Sequence, residues 1–157
     1  MLSVTDYAAV FSAVSGIFLV VFVLLELRHM EKHRNVEISM KLFEWAESDS
    51  LRRAFRWVEE EFQFGDYEKY EAQKETSFEA SDYPYEVAAF FEQVGFLVQK
   101  KFVDIDVIVD RLGSHIISNW KKLAPWIIAL REEKTDKTFG EHFQTLYERT
   151  IEYMKER

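Results

Sequence analysis

The side chains of this chain best suited to proton transfer or metal binding near neutral pH are four histidines, at positions 29, 33, 115 and 142. His29 and His33 stand one helical turn apart and would share a face. A helical zinc protease site needs a glutamate directly after the first histidine and a further ligand; here Met30 follows His29 and Glu31 lies on another face, so no metal site is expected. Arg28 and His33, with four residues between them, fit an arginine–histidine spacing used by RNA-cleaving helical dimers, whereas Arg111 and His115, with three between, fall one residue short. Asp104, Asp106 and Asp110 invite comparison with a calcium loop, but Ile108 and Val109 stand where that loop wants polar ligands and glycine. Those aspartates read as helix caps and surface. Gly-rich phosphate loops, a nucleophile elbow and a cofactor-binding lysine setting are all missing from the sequence. No catalytic, cofactor-binding or metal-binding residue is therefore assigned, and no cofactor is expected.

Charge and composition narrow the partners. The chain has 157 residues, enough for one domain, and no cysteine, which removes disulfides, thiolate zinc sites and iron–sulfur clusters. A formal charge of -8 gives nonspecific nucleic-acid binding no global support. Residues 59–86 carry a net eight of those negative charges, with Glu59, Glu60, Glu61, Asp66, Glu68 and Glu71 at their head. Such a surface is either solvated or suited to a basic protein partner, or to the acidic rim of a ring of subunits.

The strongest positional signal lies near the N-terminus. From Tyr7 to Leu25 nineteen consecutive residues carry no charge, and at about 1.5 Å per residue they match a hydrocarbon core of about 30 Å. A transmembrane helix over residues 7–27 is expected, after a short tail (1–6) and before a basic juxtamembrane segment (28–35). A cleaved leader would need a basic start and a small-residue cleavage site, and neither is there. Only Asp6 precedes the span while Arg28, His29, Lys32, His33 and Arg34 follow it, which puts the tail outside the plasma (inner) membrane and the remainder in the cytoplasm. That topology also accounts for the one complete arginine–histidine match. Ala8, Ser12 and Gly16 recur every four residues with Ala9 and Ala13 beside them, a stripe that allows close helix–helix approach and so a homo-oligomer in the lipid bilayer.

Residues 36–157 form the expected cytoplasmic domain. Apolar residues recur there at three- and four-residue spacing, which predicts an all-α bundle of about five to seven helices and no strand. The first helix (Val36, Met40, Phe43, Ala46) continues from the membrane helix, and a second is capped by Asp49 or Ser50. Residues 64–82 read as a connection with one short helix. Pro84 opens a helix over 83–101 carrying Val87, Phe90, Phe91, Val94, Leu97 and Val98. Asp104 caps a helix that Gly113 ends after Leu112; Ser114 starts another through Trp120 to Leu123; Pro125 begins a further turn over 126–131. Phe139, Phe143, Leu146, Tyr147, Ile151 and Met154 mark the last helix. The expected core holds Phe55, Phe90, Phe91, Val94, Leu97, Trp120, Phe143 and Tyr147.

The stretch from Tyr85 through FFEQVGFLVQKKFVDIDVIVDRLG to IISNWKKLAPWIIALREE resembles, over about residues 1–133, a family of bacterial and archaeal proteins known only as a domain of unknown function. The resemblance implies an N-terminal membrane helix and a small cytoplasmic helical domain, and it brings no catalytic residues. In layout alone the chain is similar to the accessory membrane protein of RNA-targeting type VI CRISPR systems, which implies a pore subunit in antiviral defence. The Arg28–His33 spacing resembles that of HEPN ribonucleases and implies a membrane-tethered RNA-cleaving enzyme. The reading drawn from the residues themselves is a noncatalytic single-span protein that self-associates or recruits partners, with no nucleic acid expected.

Overall fold

The computed structural model describes the backbone of residues 4–64, 67–133 and 137–157, and their side chains except for residues 4–14, 31–32 and 76. Six helices follow in chain order: α1 (Val4–Ala46), α2 (Asp49–Glu60), α3 (Tyr67–Thr76), α4 (Phe78–Gln99), α5 (Ile105–Glu133) and α6 (Glu141–Lys155), with no strand among the described residues. The chain divides into two compact units, Met1–Glu37 and Ile38–Arg157, and the boundary falls within α1.

In the first unit every described side chain from Ser15 to Met30 is exposed. Nine consecutive apolar residues, Ile17 to Leu25, lie between 46 % and 73 % exposed, so apolar surface points outward on all sides of the helix. Such a helix has no polar face to turn to water. Among the described residues no helix is long and apolar enough to cross a membrane. The small residues Ala8, Ala9, Ser12 and Ala13 lie outside the described side chains, as does Lys32.

The second unit is built around α4, which packs against α2, α3, α5 and α6. Its sequence explains the centrality: Val87, Ala88, Phe90, Phe91, Val94 and Val98 are buried on successive turns. The Phe91 ring is stacked on Phe55 of α2 at 5.4 Å and on Phe143 of α6 at 4.7 Å. Trp120 of α5 meets Phe143 edge-on at 5.0 Å. Phe55, Phe90, Phe91, Val94, Trp120 and Phe143 are thus core residues, while Leu97 and Tyr147 are half-buried against it. Tyr70 of α3 is 2 % exposed, and burial pushes its phenol well above the ordinary value.

Helix boundaries differ from the sequence reading at several points, each for a local reason. α2 is capped by Ser48, whose side chain accepts from the Leu51 amide at 3.4 Å, and not by Asp49 or Ser50. α4 begins at Phe78, not at Pro84, because the Ser77 hydroxyl accepts a hydrogen bond from the Ala80 amide at 3.3 Å and caps the helix earlier. Pro84 then sits inside the helix and buried, at the cost of one backbone bond. Gly113 does not end a helix: α5 runs through it, and a Cβ there would lie 3.1 Å from Met154 and 3.2 Å from Val109, so the glycine serves the approach of α6. Pro125 is also passed without a break. Proline leaves the carbonyl of Lys121 without its donor, and both residues are exposed, so water can supply one.

α6 starts after Gly140, whose φ of 74° is the left-handed conformation and whose missing side chain offers no cap. The cap comes from α4: Glu92 accepts from the backbone amides of His142 at 3.2 Å and Phe143 at 2.9 Å. Beside it Gly95 lets the two helices meet, since a Cβ would fall 2.2 Å from the His142 carbonyl oxygen.

Candidate functional site

Within the second unit the last turns of α1, the length of α2 and the first half of α5 enclose an open cleft of about 380 Å³. Phe43 and Ala46 come from α1, Glu47 from the turn after it, Arg52, Phe55, Arg56, Glu59 and Glu60 from α2, and Arg111, Leu112 and His115 from α5. The helical repeat places the nitrogen-bearing side chains: Arg52 and Arg56 are one turn apart on α2, and Arg111 and His115 one turn apart on α5.

Arg111 and His115 of α5 are held in place. The Arg111 guanidinium lies over the Phe43 ring at 5.2 Å and pairs with Glu47. His115 stacks on Phe55, 5.4 Å between centroids and 14° between planes. Its Nδ1 donates to Glu59 Oε1 at 3.1 Å, because a carboxylate oxygen can only accept. The same oxygen accepts from Ser118 Oγ at 2.7 Å and from Asn119 Nδ2 at 3.0 Å. Asn119 is buried and also donates to the His115 carbonyl at 2.8 Å, so the carboxylate is fixed from the α5 side. With Nδ1 engaged, Nε2 is the imidazole nitrogen left for a ligand. The Ser118 hydroxyl donates to Glu59 and toward the His115 backbone carbonyl, not to the His115 imidazole, so the nucleophile–base bond of an acyl-transfer site is not formed here.

The α2 arginines differ from these. Arg52 and Arg56 are exposed and form no side-chain hydrogen bond or ion pair among the described residues. The cleft's three arginines equal in number its three glutamates, Glu47, Glu59 and Glu60, so in a chain of charge -8 it is a locally balanced patch in which Arg52 and Arg56 have no ion pair among the described residues.

The other candidates are dispersed. His29 and His33 contact each other through their Nε2 atoms at 2.9 Å on exposed helix, and with Arg28 and Arg34 they stay in the first unit. Among the described residues no three potential ligands gather to hold a metal ion. Asp106 accepts from the Val107 amide at 2.9 Å, and Asp110 pairs with Arg157. Of the acidic stretch, Glu60, Glu61 and Glu68 are exposed, Glu71 pairs with Lys74 at 3.5 Å, Glu59 belongs to the cleft, and Asp66 lies outside the described residues. The cleft has one trace in the sequence, the spacing of Arg111 and His115. Spacing along one helix does not say which other helix faces it.

A long helix with an all-round apolar stretch and a helical unit built on a central Phe-rich helix define the class of protein. The chain belongs to the family described as a domain of unknown function, DUF4760, which matches residues 10–150. No curated protein and no solved structure matches it.

Proposed function

We propose that this chain is a single-span protein of the plasma (inner) membrane, with its N-terminus outside and its helical unit in the cytoplasm, acting by self-association or partner recruitment. The observation that supports this is the exposed apolar surface of Ile17 to Leu25 on every side of α1. Nine residues span only about 14 Å at 1.5 Å per residue; extended back to Tyr7 the uncharged run reaches about 28 Å, a hydrocarbon thickness. Arg28 and Arg34, both exposed, follow the apolar stretch and orient it. Gly16 favours self-association: among the described residues nothing lies within 4 Å of the place a Cβ would take, so that point of the helix offers room to a second copy.

Fractionation of cells expressing the full chain tests the anchor. The chain is expected in the membrane pellet after an alkaline carbonate wash, released only by detergent; recovery in the carbonate supernatant overturns the reading. Its mass in mild detergent then tests association: an oligomer that Gly16→Leu shifts to smaller species supports it, and an unchanging monomer removes it.

A further inference from the structure

We infer that the cleft between α2 and α5 binds a small ligand through a phosphate group, with Arg52, Arg56 and Arg111 as the charged contacts and His115 Nε2 as the fourth. Its volume of about 380 Å³ lies within the roughly 300–1,000 Å³ typical of small-molecule sites. Guanidinium groups present planar, forked donors that match phosphate oxygens, and three of them line this one cleft.

The acidic groups facing the cleft are Glu47, Glu59 and Glu60. Glu47 is engaged with Arg111, and Glu59 is engaged with His115, Ser118 and Asn119. Glu47 and Glu59 thus orient Arg111 and His115, while Glu60 is exposed one helical turn from Arg56, and Arg52 and Arg56 form no ion pair among the described residues. Arg111 keeps donors to spare after pairing with Glu47, since a guanidinium has five N–H groups. The stacking of Arg111 on Phe43 and of His115 on Phe55 fixes both heads before any ligand arrives, which reduces the ordering that binding requires. With Nδ1–H given to Glu59, Nε2 of the neutral ring accepts from a phosphate P–OH, and it donates to a phosphate oxygen only in the imidazolium form.

A phosphate group can come from a soluble metabolite or from a lipid headgroup, and the test separates the two. Full-length protein in neutral detergent micelles is titrated with inorganic phosphate, and in a second arm with dioctanoyl phosphatidic acid mixed into the micelles. Ionic strength is held constant with chloride, and thermal unfolding is followed. A rise in midpoint with either probe supports the site, and the arm in which it occurs assigns the source. Arg52→Ala/Arg56→Ala is expected to weaken that binding at least tenfold, whereas Arg53→Ala, which does not line the cleft, leaves it unchanged. No shift with either probe overturns the proposal, as does equal loss from Arg53→Ala, which would mean diffuse attraction by surface charge. The outcome is independent of the membrane anchor, because the cleft lies wholly in the second unit.

Discussion

Individual side chains carry more structural responsibility than their types suggest. Gly95 faces the His142 backbone so closely that Gly95→Ala forces α4 and α6 apart; we expect a loss of about 1–3 kcal/mol, read as a lower denaturant midpoint. Glu92 is the only side chain seen to cap α6 among the described residues, and Glu92→Ala should cost about 1–2 kcal/mol without altering the helix count by circular dichroism. Tyr70 gives a pH dependence with a definite sign. Its phenol is raised above the ordinary value of 10.0 by burial, so the neutral form is favoured in the folded state. Below about pH 10 the group is neutral whether folded or unfolded, and its contribution is intact. Above it the unfolded chain ionises first, so stability falls as alkalinity increases. Tyr70→Phe should flatten that alkaline decline in urea midpoints measured across pH; an unaltered slope would assign the decline to other groups. None of these three roles shows in the sequence, since each depends on which backbone or side chain comes alongside.

At the scale of elements, apolar periodicity makes α2, α4 and α6 legible as helices, whereas α3 lies in a stretch that reads as a connection with one short helix and α5 reads as three separate pieces. The local signals for stops were less informative. Gly113 and Pro125 look like helix ends in a one-dimensional reading, yet α5 passes both. The energy of packing a long helix along α6 outweighs a weak glycine and one missing backbone bond. The short polar stretch before Pro84 hides the start of α4 for the opposite reason: the Ser77 cap has the strength to begin a helix before its apolar stripe does. The rings at the α2, α4 and α6 junction stack in sequence, and Phe91→Ala removes the middle one. That truncation should cost about 3–5 kcal/mol, enough to remove much of a typical domain's stability. Of the candidate cleft only Arg111 and His115 stand out in the sequence, as a spacing one residue short of the arginine–histidine pattern; Arg52 and Arg56 gain meaning only from the pairing of α2 with α5, which is a tertiary fact.

For the whole molecule the central claim is that an apolar stretch with no hydrophilic face lies in lipid while the helical unit stays in water. The two units impose opposite demands on solvent: Ile17 to Leu25 expose apolar surface all round, whereas the second unit buries Phe55, Phe90, Phe91, Trp126 and Phe143 in a core. Membership of a family without a described activity leaves location as the property from which function must be built. The absence of cysteine makes a direct measurement possible, because any introduced thiol is a unique reporter. Phe22 and Phe78 are similarly exposed, at 67 % and 66 %, but they lie in different units. Phe22→Cys and Phe78→Cys chains in opened membrane vesicles would be treated with a membrane-impermeant maleimide. Labelling at position 78 with protection at position 22, lifted only by detergent, is the result this account expects. Equal labelling of both thiols in untreated membranes would contradict it.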